Sequence, residues 1–522
     1  MRTVIINTFD IQGGAARAAN RLHNALKSNA VESSMVVMSK KSSDPSVMEI
    51  GGYTPNEKID YQYILRKLVQ RYYIDSSRTD LSNTLFSFAY PGRDISSIPR
   101  LQSADLINLH WVGFFQTPVT IQKLMKLGKP MVWTLHDMCP FTGGCHYSAG
   151  CDGYTRDCRN CPQLSNDPYS LPNAILKDKL ELFEGFPLTI ASPSRWLADC
   201  ARKSALFRNC RIEVIPNSIE TDIYTPISKD DAKAALEIDP KNIVLMFGAD
   251  SGNEKRKGFA ELEAALARAR TNPLFEDIVR RKGITILSLG PLTADMSKLG
   301  MDIKELGHVS DDTLIARAYS AADIFILPSL EDNLPNMMLE SMACGTPVLA
   351  FRSGGIPDVV QDGVNGRLVP TGDVNALAER LVELVSDKAL RERLGAESAK
   401  FVHGAYTPKI QADRYLALFE ELRCSSDYKT WSAKTNSENR SDADGLDMEC
   451  GPSFNAIRYK VMLAALLRAI PEICQAFASK MPDQNMEGIC RLENEIDVLK
   501  NSLSWRLTAP LRKMLKAVRR ES

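Results

Sequence analysis

The sequence has no excess of either charge and no long apolar run. Lys and Arg total 64 and Asp and Glu total 64 among the 522 residues, so no overall field draws the chain toward nucleic acid. The longest aliphatic run covers residues 461–467, whereas a membrane-spanning helix needs about 20 apolar residues. The apolar stretch at residues 4–6 is far shorter than the core of a secretory signal. We therefore expect a cytoplasmic protein without a nucleic-acid partner.

Two common ligand signatures are also missing. The first strand-like run is followed by Gly13 and Gly14, but not with the G-x-G-x-x-G spacing of dinucleotide-binding enzymes, which argues against an oxidoreductase. Asp442 and Asp444 have Asp-x-Asp spacing but lie in a polar stretch that reads as a linker. The sequence therefore predicts no catalytic metal.

Apolar strands and amphipathic helices alternate along most of the chain, a pattern typical of doubly wound α/β domains. A first series of strand-like runs lies at residues 3–7, 34–38, 106–109, 130–135, 188–191 and 212–215. A second series lies at residues 243–248, 284–289, 324–327, 347–350 and 366–369. Two such domains in tandem leave a cleft between their facing strand ends, where ligands bind in open α/β sheets.

The most informative segment starts at the strand end Pro328-Ser329, crosses a polar loop and enters a helix that carries Glu340. It resembles the donor-site signature of retaining GT-B glycosyltransferases of family 4, whose usual form is P-S-x-x-E-G-F-x-x-x-x-x-E-A-M-A-x-G-x-P-V. Further matching pieces occur in the right order within residues 1–423: Gly13-Gly14, Thr134-Leu-His136-Asp137, Ser192-Pro-Ser, Gly248, Arg256-Lys257-Gly258, Gly307-His308 and Gly354-Gly-Ile-Pro. This part of the chain is similar to bacterial cell-surface polysaccharide glycosyltransferases of the colanic-acid type.

This resemblance implies a GT-B fold, with two Rossmann-like doubly wound domains facing a cleft and a helical C-terminal extension. The expected segments are an N-terminal acceptor domain (1–218) with a Cys-rich insertion (139–161), a C-terminal nucleotide-sugar donor domain (219–407), a closing helix (408–423), a linker (424–453) and a helical basic tail (454–522).

The resemblance also implies roles for individual residues. A nucleotide-sugar donor loses a diphosphate, so its site needs cations and backbone N–H groups where negative charge develops. The expected catalytic residues are His136, Asp332 and Lys257, and the expected donor-binding residues are Gly14, Arg256, Lys257, His308, Asp332, Glu340 and Gly355. A lone Lys or Glu is usually a solvated surface charge, but the combined pattern favours a donor site.

The match has departures. Asp332 stands where the family usually has its first glutamate, unless Glu331 takes that role one residue out of register. Asn333 and Leu334 replace Gly-Phe, and Ala249 stands where an arginine often follows the first glycine of the domain. These differences leave open which sugar and which phosphate contacts the site provides.

Five of the twelve cysteines lie between residues 139 and 161. Cys145, Cys151, Cys158 and Cys161 include a Cys-x2-Cys pair, and four thiolates can complete a tetrahedral zinc site. Cys139 and His146 are spare candidates, and Cys139 is left out of the predicted site. Unligated or redox-labile thiols and, less favoured, an iron–sulfur cluster are the alternatives. We expect one structural zinc ion.

We therefore expect a metal-independent, retaining, hexosyl-type glycosyltransferase that acts on a growing surface polysaccharide, a lipopolysaccharide or a lipid-linked oligosaccharide. A GT-B epimerase or phosphorylase is a second enzyme class, although the chain has no lysine motif for pyridoxal phosphate. The alternative outside catalysis is a silent nucleotide-sugar-binding scaffold of a polysaccharide assembly complex. Residues 500–522 carry seven Lys or Arg against one acidic side chain, which favours peripheral contact with the inner face of the membrane as strongly as a solvated tail.

Overall fold

The computed structural model of the protein describes residues 1–51, 66–81, 84–248, 254–290, 299–425 and 450–478, together with residues 428 and 431. Most of the predicted linker (424–453), Ala249 and the basic segment 500–522 lie outside the described residues.

The described strands form two parallel sheets, one of seven strands and one of six. Their bounds are β1 Arg2–Phe9, β2 Glu32–Ser39, β3 Val47–Glu49, β4 Leu106–Leu109, β5 Met131–Thr134, β6 Leu188–Ser192, β7 Arg211–Val214, β8 Ile243–Gly248, β9 Ile284–Leu289, β10 Asp302–Glu305, β11 Ile324–Leu327, β12 Val348–Phe351 and β13 Gly366–Val369. The strand orders are β3-β2-β1-β4-β5-β6-β7 and β10-β9-β8-β11-β12-β13. The strand order reverses once in each sheet, between β1 and β4 in the first and between β8 and β11 in the second. Doubly wound folds bind ligands at such switch points.

Helices connect and cover these strands. The α-helices are Gly14–Ser28, Pro99–Gln102, Pro118–Met125, Leu171–Leu182, Arg195–Lys203, Lys229–Ala235, Phe259–Ala269, Pro273–Arg280, Asp312–Ala321, Asn336–Ala343, Val374–Ser386, Lys388–Ala405, Pro408–Cys424 and Pro452–Ala478.

Both faces of each sheet are buried, which explains the continuous apolar runs that predicted the strands. In β1, Val4 and Ile6 belong to one hydrophobic core and Ile5 to another on the opposite face. In the second sheet, Met246 and the next residue, Phe247, likewise belong to two different cores on opposite faces. The α/β fold class with two doubly wound sheets is therefore confirmed.

The prediction missed two short edge strands, β3 and β10. β10 has the sequence Asp-Ile-Lys-Glu and is mostly exposed, because it lies at the border of its sheet and only one side of it pairs. Strands of this kind carry too few apolar residues to be recognised from the hydrophobic pattern.

The predicted closing helix, observed as Pro408–Cys424, returns to the first domain. Thr407 caps its start by accepting a hydrogen bond from Ile410 N. Tyr415 and Phe419 are buried in the same core as Ile5, on one face of the first sheet. The helix therefore fastens the end of the second α/β series to the first sheet.

The C-terminal helix Pro452–Ala478 also packs on the first domain, so the segment predicted as a basic tail begins with a core element. Phe454 stacks on Tyr90 with ring centres 5.1 Å apart, and both lie in the main core of the first domain. The Asp178 carboxylate accepts hydrogen bonds from the N–H groups of Ser453 (2.7 Å) and Phe454 (3.2 Å) and from the Tyr90 hydroxyl (2.7 Å). A buried carboxylate at a helix N-terminus satisfies amides that have no partner within the helix.

Among the described residues, no helix combines the length and the apolar character required to cross a bilayer.

Asp178 should control the attachment of the C-terminal helix. We expect Asp178→Ala to lower the free energy of unfolding by about 1–3 kcal/mol, because it leaves the Tyr90 hydroxyl and two helix amides unpaired in a buried place. Hydrogen exchange in residues 452–465 should also accelerate. Glu181→Ala is the matched control, because Glu181 is exposed and lies with Asp178 in the helix Leu171–Leu182. Unchanged exchange in the Asp178 variant would contradict this role.

Candidate donor site between the two sheets

The carboxyl ends of the strands in the two sheets face each other and are joined by polar contacts. The Asn336 side-chain amide donates to the Gly14 carbonyl at 2.9 Å. The Ser194 hydroxyl donates to Asn333 Oδ1 at 2.6 Å, and the Asn333 amide donates to the His136 carbonyl at 3.2 Å. The loops after β1, β5, β6 and β11 therefore meet in one cleft, as the sequence predicted.

Lys257 and Arg256 converge on Asp332, which lies in the loop after β11. Lys257 Nζ is 2.8 Å and an Arg256 guanidinium nitrogen 3.2 Å from Asp332 Oδ2. Burial by itself would raise the pKa of Asp332, but Lys257 and then Arg256 outweigh it and lower the pKa to about 2. Asp332 is therefore ionised at neutral pH and faces both cations, and the Arg256 guanidinium is also paired with Glu254 at 2.7 Å.

Glycines allow the loops of this site to lie against one another. Gly258 has φ 70°, and a Cβ there would lie 1.8 Å from the Pro328 carbonyl oxygen. Gly354 has φ 53°, and a Cβ there would lie 1.7 Å from the Asp332 carbonyl oxygen. No other residue type fits at these two positions without moving the backbone. The Gly355 N–H donates to the Asp332 carbonyl at 3.0 Å, so this amide supports the loop.

The Cys-rich insertion supplies one wall of the acidic loop. The Tyr147 hydroxyl donates to Asp332 Oδ1 at 3.3 Å, and the Arg256 guanidinium lies 4.5 Å from the centre of the Tyr147 ring. The Glu331 carboxylate contacts the same insertion, since Ala149 N donates to it at 3.1 Å. Asp332 provides the carboxylate that contacts Lys257.

Glu340 is buried and is held by side chains from both domains. An Arg21 nitrogen lies 3.0 Å from Glu340 Oε1, the Tyr319 hydroxyl donates to Oε2 at 3.2 Å, and Arg17 is 3.8 Å away. Arg21 also contacts Glu220 at 2.7 Å. The sequence motif predicted Glu340 in the donor site, but it did not predict these arginines. Their spacing of four residues after the Gly13-Gly14 turn, on one face of a helix, is the signal that could have identified them.

His136 follows β5 and is paired with a second histidine. Its Nε2 lies 2.9 Å from His110 Nδ1, and burial lowers the pKa of His136 to about 4. His308, the other histidine expected at the donor, lies exposed beyond β10. Its neighbour Gly307 accepts a hydrogen bond from Gly290 N at 2.8 Å. The structure therefore places His136 inside the first domain's edge of the cleft and His308 at the surface of the second domain.

A buried polar cluster beside His136 was not predicted from the sequence. Asp137 Oδ2 lies 2.6 Å from His146 Nδ1 and accepts from Trp111 Nε1 at 2.8 Å, while Asp137 Oδ1 accepts from Cys139 N at 2.9 Å. Burial opposes a charge on His146, but Asp137 outweighs burial and raises the pKa of His146 to about 10. The pair is therefore an aspartate–imidazolium ion pair inside the first domain.

Metal-ligand spacing occurs in this cluster and not among the four cysteines of the predicted zinc site. Within the described part of the chain, the group whose ligand atoms lie within 4.8 Å of one another is Asp137, Cys139 and His146. Their hydrogen bonds and ion pair already satisfy the polar atoms of Asp137 and His146. Cys145, Cys151, Cys158 and Cys161 are free thiols that do not meet this distance, so the structure does not assemble the predicted ligand set. Burial raises the pKa of Cys158 to about 12 and that of Cys161 to about 11.

Part of the second domain matches a known protein family. Residues 241–387 match the family described as glycosyl transferases group 1. Residues 241–387 form a group 1 glycosyltransferase domain. It contains six of the seven predicted donor-binding residues: Arg256, Lys257, His308, Asp332, Glu340 and Gly355.

Two curated relatives and one solved structure extend the comparison. The sulfoquinovosyl transferase SQD2 of Arabidopsis thaliana is 36% identical over 143 residues, which are 26% of this chain and 28% of that protein. The putative colanic acid biosynthesis glycosyl transferase WcaC of Escherichia coli is 23% identical over 81% of this chain and 100% of its own length. Several other curated relatives are matched over only 40% to 50% of their length.

The solved structure is that of Anabaena HepE in complex with UDP and glucose. It superimposes with a TM-score of 0.53 at 16% identity, covering 80% of this chain and 99% of that one. At this identity the likeness concerns the fold, which is the GT-B fold implied by the motifs around the group 1 domain.

The Asp137–His146 pair predicts a loss of stability at alkaline pH. The pKa of His146 in the folded protein is about 10, above its ordinary value of 6.5, so the pair stabilises the fold fully below about pH 6.5 and loses this contribution as the pH rises through 10. We expect the free energy of unfolding of the wild type to fall across this range by a few kcal/mol more than that of His146→Gln. Chemical denaturation at several pH values measures the difference. His403→Gln is the control, and a wild type that parallels His146→Gln would contradict the ion pair.

Proposed function

We propose that this protein is a retaining, hexosyl-type glycosyltransferase that moves a sugar from a nucleoside-diphosphate sugar to a glycan or lipid-linked glycan of a surface polysaccharide or lipopolysaccharide. The observation that carries the proposal is the Lys257–Arg256–Asp332 cluster at the strand ends of the group 1 domain. The relatives named for colanic acid and sulfoquinovosyl transfer support the reaction class. The HepE structure with UDP and glucose supports a nucleoside-diphosphate donor.

The electrostatics of the cluster suit the departure of a diphosphate. When the bond between the sugar and the diphosphate breaks, negative charge grows on the leaving oxygen, and a fixed cation nearby stabilises that charge more in the transition state than in the ground state. Lys257 and Arg256 provide two positive charges, and Asp332 holds both side chains in place while offsetting part of that charge. Two fixed cations supply the charge that a metal ion supplies in other transferases, so we propose a metal-independent reaction.

The remaining predicted residues take complementary roles in this proposal. Glu340 binds the nucleoside side of the donor, and its carboxylate oxygens can each accept a second hydrogen bond beside those from Arg21 and Tyr319. Gly14 allows close approach of the first domain's backbone to the diphosphate, and His308 borders the donor from the second domain. His136 faces the sugar and the acceptor. We place the enzyme at the inner face of the cytoplasmic membrane, with residues 500–522 as the contact.

Lys257 is the residue on which this proposal depends most. We expect Lys257→Ala to lower kcat/KM for transfer or for slow donor hydrolysis by about 100-fold or more, because it removes a cation from the leaving group. The measurement is release of nucleoside diphosphate from a panel of radiolabelled nucleotide sugars, with the anomeric configuration of the product read by NMR.

Lys255→Ala is the matched control, since Lys255 is exposed two residues away and contacts Asp80 at 3.6 Å. Wild-type turnover in the Lys257 variant would refute the assignment. A wild type that binds nucleotide sugars but neither transfers nor hydrolyses them would favour the silent scaffold.

Structural zinc on Cys145, Cys151, Cys158 and Cys161 is a separate prediction, supported by their spacing. It requires the four sulfurs to come closer together than the structure has them. We expect about one zinc per chain by elemental analysis of untagged protein, lost in Cys158→Ser and kept in the control Cys210→Ser. Folded, active protein purified without chelator and free of zinc would show that the thiols are unligated.

A further inference from the structure

A line of buried polar side chains runs through the first domain and ends at His136. Asn108 lies in the middle of β4 and is fully buried, which is a costly place for an amide unless its hydrogen bonds are satisfied. It contacts Thr134 in β5 on one side and His110 on the other. Thr134 in turn lies 3.0 Å from the Tyr415 hydroxyl of the closing helix.

The surroundings of Asn108 fix which way its amide faces. One end of the amide lies 3.0 Å from the Val132 carbonyl oxygen and 3.2 Å from the Leu109 carbonyl oxygen. Carbonyl oxygens only accept hydrogen bonds, so this end must be the NH2 group. The Asn108 oxygen therefore faces His110 Nε2, at 3.1 Å.

This orientation determines the proton positions on both histidines. An oxygen facing His110 Nε2 requires that Nε2 carry the hydrogen, which leaves His110 Nδ1 as an acceptor in the neutral ring. His136 Nε2, 2.9 Å from His110 Nδ1, must then be the donor. Burial lowers the pKa of both rings, to about 4 for His136, so both are neutral at pH 7. The acceptor nitrogen of His136 is consequently Nδ1.

We propose that Asn108 and His110 are positioning residues that hold His136 as its Nε2–H tautomer, so that His136 offers Nδ1 as a hydrogen-bond acceptor to a hydroxyl of the sugar donor or acceptor. The link to substrate rests on the proposed function, whereas the tautomer does not. The main-chain carbonyls of Val132 and Leu109 thus determine, through Asn108 and His110, which nitrogen of His136 carries the hydrogen. In a neutral imidazole one nitrogen donates a hydrogen bond and the other accepts one. The hydrogen-bond partner of one nitrogen therefore determines the role of the other.

The direct test is nitrogen NMR of the full chain labelled with 15N-histidine. The protein has six histidines, and His136→Gln and His110→Phe identify the relevant signals. We expect wild-type His136 to show a protonated Nε2 and an unprotonated Nδ1 at pH 7. A protonated Nδ1 on wild-type His136 would overturn the proposal, and this result does not depend on any enzymatic activity.

The positioning role is tested with Asn108→Leu, which removes the oxygen that orients His110 at similar volume. We expect the His136 signal to shift toward the Nδ1–H form and kcat/KM to fall about 10-fold to 100-fold, with nucleotide affinity unchanged. Asn365→Leu is the control, since Asn365 is an equally buried amide in the second domain that donates to the Val359 carbonyl at 3.0 Å.

An Asn108 variant with the wild-type tautomer would refute the positioning role, and so would a shifted tautomer with unchanged kcat/KM in a protein that transfers sugar. Absence of transfer by the wild type, with the Nε2–H form observed, would refute the proposed function and leave the tautomer assignment intact.

Discussion

The buried Asp332 carboxylate is the contact on which the rest of the cleft depends. A carboxylate in this position is stable only if cations and hydrogen-bond donors replace the water it has lost. Lys257 and Arg256 do so from one turn of the second domain, and Tyr147 does so from the Cys-rich insertion of the first. Satisfying one charge therefore fixes the turn at residues 255–257, the Cys-rich insertion and the loop after β11 relative to one another. This close packing of the loops requires glycine at positions 258 and 354, because a Cβ atom at either position would collide with the neighbouring main chain.

The second charged cluster, around Glu340, differs in that it joins the domains. Arg17 and Arg21 on the first helix reach Glu340 and Asp312 of the second domain. The pKa of Arg21 is raised by Glu340 and Glu220, although burial opposes this, so the guanidinium stays charged. A ligand that approaches Glu340 therefore enters a network that also holds the two domains together. Under the proposed function, donor binding at Glu340 would therefore change contacts that hold the two domains together.

The parts of this structure that follow local patterns could be predicted from the sequence. Strands buried on both faces appear as continuous apolar runs, and the Pro328-to-Glu340 segment carries its own spacing, so the fold and the Lys257–Asp332 region were identified. What could not be predicted depends on contacts between distant residues. Arg21 and Glu340 are 319 positions apart. Asn108 is a polar residue in an otherwise apolar strand, and its role is recognisable only from its neighbours in the sheet. The cysteine spacing suggested a ligand set that the structure does not assemble, because spacing along the chain does not fix the distances between sulfurs.

The Cys-rich insertion has a structural role that does not depend on a metal ion. Within four consecutive residues, His146 pairs with Asp137 next to His136, Tyr147 donates to Asp332, and Ala149 N donates to Glu331. The insertion thus contacts both Asp137 in the first domain and the acidic loop of the second. Any displacement of it would alter the two halves of the site together, since Tyr147 supports Asp332 and the Asp137–His146 pair adjoins His136. These contacts all come from the four residues that follow Cys145.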